Sequence, residues 1–246
     1  QGYGGIMSLT GAPDGAPMKV GVGIADVMCG MYATVGILAA LRHRDKTGAG
    51  QHIDLSLVDT QMAWLVNEGT NYLTSGQVPE RRGNAHPNIV PYDAFACRDG
   101  HVLLAVGNDA QFARFCDAVG LEGLNDDPRF DTNQHRIEHR AALMPLLAPA
   151  LEALNRDEII RRLHAVKVPV GPIHNVAEAL ASDQAQARGA VVAVPCDGVA
   201  EGHVRLLGNP LKLSATPVTY RHAPPICGQD TDAVLQMLRQ APDTAG

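Results

Sequence analysis

Gly21-Val22-Gly23-Ile24-Ala25-Asp26 runs without a break into the charge-free stretch 27–41. The G-x-G-x-x-D spacing places two glycines at the end of an extended run, residues 18–23, and a carboxylate in the first turn of the helix that follows. In a dinucleotide fingerprint of this frame the sixth position is a third glycine, which leaves room for a pyrophosphate at the helix N-terminus. Here a carboxylate stands there instead. The free N–H groups of a helix N-terminus favour a negative charge, so the chain supplies its own. Asp26 is therefore expected in a water-poor niche walled by Gly21 and Gly23. Two roles fit that position: a helix N-cap, which Asp fills well, or a reacting carboxylate.

The helix expected over residues 24–43 is apolar on nearly every side and carries the small residues Gly30, Ala33, Gly36, Ala39 and Ala40, as a helix packed closely on several faces does. Its charge-free part is shorter than the roughly 20 residues of a membrane span, so no membrane association is expected. Working outward, residues 45–50 read as a turn, 52–57 alternate as a strand does, and 59–73 return to helical spacing. Strand, helix, strand, helix is the order of half a parallel α/β sheet. Residues 75–91 are polar and rich in Gly, Pro, Asn and Arg, a linker or a working loop. Beyond them, 92–97 and 101–106 predict a hairpin around Arg98-Asp99-Gly100. Helices follow near 110–119, 134–154 and 157–166, the last capped by Asn155 with Glu158 reaching back. A crossing at 168–172, a helix over 175–181, strands at 191–194 and 203–207 and a closing helix at 230–239 complete an α+β pattern.

Bulk properties narrow the function. The chain has 246 residues, 46% of them hydrophobic and 19% charged, as a folded globular protein does. A net charge of -6, with no basic run interleaved with aromatics, argues against a nucleic-acid partner. Cys29, Cys97, Cys116, Cys196 and Cys227 are odd in number and contain no C-x-x-C pair, which suits reduced thiols in the cytoplasm. The chain opens on Gln1 inside Gln1-Gly2-Tyr3-Gly4-Gly5, and the expectation is a fragment that lacks its N-terminal part.

Two further groupings bear on chemistry. Arg81-Arg82-Gly83-Asn84-Ala85-His86-Pro87-Asn88 gathers cations, an amide and an imidazole in one loop, suited to cover a reacting acyl group or to serve as a solvated linker. His135-Arg136-Ile137-Glu138-His139 matches the inverted zinc-peptidase pattern, but its flanks are cationic and no third ligand is evident, so no metal site is assigned. No serine sits in a G-x-S-x-G elbow.

Several stretches together resemble the class III CoA-transferase family, the CaiB/BaiF group. These are Gly4 to Gly11 (GGIMSLTG), Gly23 to Asp26 (GIAD), Gly36 to Leu41 (GILAAL), Thr47 to Gln51 (TGAGQ), Arg82 to Tyr92 (RGNAHPNIVPY), Gly107 to Phe112 (GNDAQF) and Val168 to Pro172 (VPVGP). The last three are similar to the branch acting on succinyl-CoA and short dicarboxylic or hydroxy-acid acceptors. The resemblance implies an α/β fold with a Rossmann-like large domain built from both chain ends, residues 1–74 and 186–246. A smaller α+β domain, 92–185, and the linker and active-site loop, 75–91, complete it, in an interlocked homodimer. It implies Asp26 as nucleophile, and Arg82, Gly83, Asn84 and His86 in the loop over the active site. Coenzyme A and acyl-CoA enter as substrates with a carboxylic acid, and no cofactor is bound permanently. The family's CoA-binding residues lie mostly upstream of Gln1, and Gly83-Asn84 stands where some members carry several glycines. An acyl-CoA racemase of the same family, or a non-catalytic module, remain alternatives.

Overall fold

The computed structural model describes residues 1–240, which divide into two units, 1–173 and 174 onward. The first unit opens with the short helix α1 (Ile6–Leu9) and the long helix α2 (Ile24–Thr47), which ends where Gly48, at φ 77°, turns its N–H back to the Arg44 carbonyl. Helix α3 (Leu57–Ala63) is capped by Ser56, whose hydroxyl accepts the Asp59 N–H, and α4 (Val66–Ser75) follows. Strands β1 (Tyr92–Cys97) and β2 (Gly100–Ala105) then form the expected hairpin, in the register Phe95 opposite Val102. Helices α5 (Asp109–Val119), α6 (Asn133–Glu138), α7 (Arg140–Glu152) and α8 (Arg156–Ala165) precede β3 (Val170–Pro172), which joins the free edge of β2 antiparallel.

The core of this unit lies between residues 90 and 168 and follows two periodicities. Val102, Leu104 and Val106 alternate inward along the sheet, Phe112, Phe115, Cys116 and Val119 make one face of α5, and Leu143, Leu147 and Leu151 one stripe of α7. Burial pushes the Cys116 thiol up to about 12, so this cysteine packs as a small apolar group. Beside the core sits Arg136, fully buried, its guanidinium over the Phe112 ring at 4.4 Å. It donates to the carbonyls of Val90 (2.7 Å) and Phe130 (2.9 Å) and to Asp109 Oδ1 (2.8 Å).

Several expectations are corrected. Residues 18–23 and 52–57 form no strand, and both sheets among the described residues are antiparallel. An extended segment becomes a strand only when a neighbour accepts from its N–H groups and donates to its C=O groups, and none does so among the described residues. The Val20 N–H goes to the Gln1 side chain (2.9 Å) and the Met18 N–H to the Thr10 carbonyl (2.9 Å) instead. The helix expected over 59–73 breaks at Trp64 and Leu65, where i→i+3 bonds tighten the chain and Val66 takes φ 39°. The helix expected over 134–154 breaks at His139, and the last two turns hold Pro145 and Pro149, which supply no N–H to the ladder. Asn155 begins α8 without a side-chain cap, and Glu158 pairs with Arg161 (2.7 Å) and Arg162 (2.6 Å) rather than reaching back.

The second unit carries the capping box that α8 lacks. Asn175 and Glu178 exchange side-chain and backbone bonds at 2.9 and 2.8 Å to open α9 (Val176–Ala181). Ser182 caps α10 (Asp183–Ala187), strands β4 (Val191–Pro195) and β5 (His203–Leu207) pair antiparallel, and α11 (Thr231–Gln240) closes the described chain.

Helix α2 contrasts with this core. None of its residues is buried, and Val27, Met31, Val35 and Leu38 stand exposed along it; by length and composition alone the helix is sufficient to cross a membrane. Burial therefore separates two leucines of equal chemistry. In the 246-residue chain, Leu147→Ala should lower stability by about 2–5 kcal/mol, since it opens a cavity in the core. Leu38→Ala, at 61% exposure, should change it by less than about 0.5 kcal/mol. Urea unfolding of both variants checks this, and equal losses would overturn the assignment of the core.

Candidate active site

Asp26 lies in the first turn of α2, three residues after the N-cap, which is Gly23. Capping is thereby removed as its role. Its side chain has no hydrogen bond or ion pair among the described residues. One carboxylate oxygen, Oδ2, lies over Gly23, 3.0 Å from where a Cβ would stand. Gly23 thus leaves the carboxylate space that any side chain would contest. The expected water-poor niche is not present: Asp26 and both glycines are exposed, and Gly21 borders open space, because no described segment packs over this end of α2.

The second group of candidates is anchored at several points. Gly83, at φ 62°, donates its N–H to Gly11 O (3.1 Å), and Arg81 donates to Gly15 O (2.8 Å) and Ala12 O (3.4 Å). Arg82 pairs with Glu68 at 3.4 Å, and a turn from Arg82 to Ala85 leaves Asn84 exposed at the tip. His86 is held on four sides. Its N–H donates to Tyr92 O (2.9 Å), its carbonyl accepts from Arg140 (2.6 Å), its ring stacks on Tyr92 at 5.2 Å, and Nδ1 accepts the Asn88 N–H (3.1 Å). That last bond leaves the proton of a neutral ring on Nε2. Asn133 brackets the loop's exit, accepting from Val90 N (3.1 Å) and donating to Asn88 O (2.9 Å).

Asp26 and the loop are joined by no hydrogen bond or ion pair among the described residues. Glu68, Asn133, Arg136 and Arg140 were missed as partners of the loop. They lie 14 to 54 residues from the groups they hold, beyond any local spacing rule. The zinc-like motif dissolves into structure. His135 pairs with Asp131 at 2.7 Å, a contact that raises the histidine's pKa and lowers the aspartate's, and Glu138 accepts from Gln134 (2.7 Å). Among the described residues no three potential metal ligands converge.

The family model for CoA-transferase family III matches residues 1–231. The chain belongs to CoA-transferase family III. Among the similar family members is the succinate–glutarate CoA-transferase of Agrobacterium fabrum, 42% identical over all of this chain and 61% of its own length. The succinyl-CoA:mesaconate CoA-transferase of Haloarcula marismortui is 32% identical over 88% of this chain and 54% of its own. A crystal structure of a CaiB/BaiF family protein from Brucella suis is 40% identical and superposes with a TM-score of 0.86 over 97% of this chain and 61% of that one. The α/β fold is that of this family, and the chain spans 54–61% of the length of these relatives.

The motif GGIMSLTG has a local physical reason at Gly4. The buried side chain of Gln61 lies 2.5 Å from where a Gly4 Cβ would stand, and its amide has no hydrogen-bond partner among the described residues. Gly4→Ala should therefore destabilise the chain by about 1–3 kcal/mol through overpacking. Gly21→Ala, which meets nothing within 4 Å, should be neutral or slightly stabilising. Thermal unfolding separates the two, and a Gly4→Ala variant as stable as the parent would contradict the packing described.

Proposed function

We propose that the complete protein moves coenzyme A from an acyl-CoA such as succinyl-CoA to a short dicarboxylic acid, with Asp26 as covalent nucleophile. The observation that carries this reading is an uncapped carboxylate on a helix N-terminus, with a glycine beneath it, in a chain that belongs to a CoA-transferase family. The relatives named above act on glutarate and mesaconate, both dicarboxylic acids.

The chemistry follows from the carboxylate. Asp26 attacks the thioester carbonyl of the donor, forming a mixed anhydride and releasing CoA thiolate. The thiolate attacks the aspartyl carbonyl, the donor acid leaves as its carboxylate, and CoA is held as an aspartyl thioester. The acceptor carboxylate then attacks that thioester, giving a second anhydride and the thiolate. Thiolate attack on the acceptor carbonyl forms the product and restores the aspartate. Each anhydride is prone to hydrolysis, so water must be kept away, and the loop bearing Arg82, Gly83, Asn84 and His86 is assigned to that cover.

The same reading extends to architecture. Residues 1–74 and 186–246 are assigned to a large domain, 92–185 to a small one and 75–91 to the linker and loop, in an interlocked homodimer. Helix α2, apolar on most sides, is placed inside the assembled protein rather than in a membrane. The protein is assigned to the cytoplasm, with CoA as substrate and no permanently bound cofactor, metal or nucleic acid.

Asp26→Asn in the complete protein should lower transfer on the order of 10⁴-fold or more while leaving the thermal midpoint nearly unchanged. The wild type incubated with acyl-CoA and quenched with hydroxylamine should yield a hydroxamate on the peptide containing Asp26. An active Asn variant together with an unmodified Asp26 would sink the assignment.

A further inference from the structure

Arg81, Arg82 and Arg140 come from two distant parts of the chain, yet all three line one cleft of about 320 Å³, closed by Pro13, Ala85 and Pro87. Of these guanidinium groups only Arg82 meets a carboxylate, that of Glu68, at 3.4 Å with the arginine side chain 41% exposed. Arg81 and Arg140 are half-buried and form no ion pair among the described residues. Their contacts are neutral carbonyls: Gly15 O and Ala12 O for Arg81, His86 O for Arg140. Asp93 senses the Arg140 charge, but burial outweighs that attraction and raises its pKa.

Arg81 and Arg140, partly withdrawn from water and without an ion pair among the described residues, are unfavourably placed unless an anion joins them. Each guanidinium still has N–H donors free, and the planar fork suits a carboxylate or a phosphate. The other wall decides between these. Two prolines and an alanine offer methylene-sized apolar contact, as a short aliphatic chain requires. The carbonyls that hold Arg81 and Arg140 fix both side chains in advance, so little side-chain freedom is lost on binding.

We propose that this cleft is an anion subsite for the free carboxylate of a dicarboxylic substrate, the one not converted to a thioester. The proposal rests on the transfer reading above and deepens it: one carboxyl group of glutarate or mesaconate reacts while the other stays ionised throughout. Arg81 and Arg140 then set specificity without touching the reacting atoms.

The test uses the complete protein and two acceptors of equal length, glutarate and pentanoate, which differ in that one carboxylate is replaced by a methyl group. Calorimetry of each acid, and of CoA alone, is run beside transfer from succinyl-CoA. The wild type should bind glutarate at least roughly 10-fold tighter than pentanoate, as a charge-assisted fork implies. Arg140→Met and Arg81→Met should each remove most of that preference. KM for glutarate should rise about 10-fold or more, with kcat for pentanoate and the affinity for CoA unchanged. Arg81 is held by different carbonyls, those of Gly15 and Ala12, so its variant keeps the test valid if Arg140→Met, which frees the His86 carbonyl, misfolds by circular dichroism. Weaker CoA binding with an intact glutarate preference would mean that the cleft holds a CoA phosphate, and would overturn the proposal. So would variants that alter neither, or a wild type that binds both acids alike. A wild type that transfers CoA to no acid would end the transfer reading alone, since acid binding still decides the cleft.

Discussion

The buried guanidinium of Arg136 ties the first unit together. It stacks on Phe112 and reaches the Val90 carbonyl, the Phe130 carbonyl and Asp109, so one side chain joins the exit of the arginine-rich loop, the turn before α6 and the start of α5. A charge that is fully out of water is tolerable only with such partners, and leaving it uncompensated costs several kcal/mol. The partners are consequently held in one arrangement. Val90, the first core residue after the loop, is fixed through its carbonyl by Arg136 and through its N–H by Asn133.

From this anchor the loop inherits its shape. Its exit is pinned by α6, its middle by Arg140 and the Tyr92 ring, and its entry by the turn at Gly11 to Gly15. The same bonds that shape the loop aim three arginines into one cleft. Scaffold and electrostatics are thus one set of contacts: carbonyls that orient Arg81 and Arg140 cannot neutralise them, so the positive charge is positioned and kept.

Asp26 belongs to a different regime. The helix that carries it has no buried residue, and the carboxylate meets only its own glycine. A carboxylate on an exposed helix start is chemically available but unsheltered. The transfer chemistry proposed for it therefore depends on closure by segments that do not contact it among the described residues.

The hairpin and the helices near 110–119, 157–166 and 175–181 were legible in the sequence, because each depends on residues within a few positions of one another. So was the G-x-G-x-x-D frame that sets Asp26 beside Gly23. The strands expected at 18–23 and 52–57 were not decided locally, since a strand exists only through the neighbour that completes its ladder. The Glu158 half of the capping box expected at Asn155 is taken by two arginines, Arg161 and Arg162. Arg140, a mere flank of the zinc-like pattern in the sequence, became a wall of the cleft once its guanidinium reached the loop 54 residues away. By itself the sequence determined the local frames, the apolar helix and the family-like motifs, since short-range sterics and periodicity suffice for those. The tertiary structure alone decided which charges are buried, which carbonyls hold them and which cations share one cleft, because those depend on distances across the chain that no local spacing encodes.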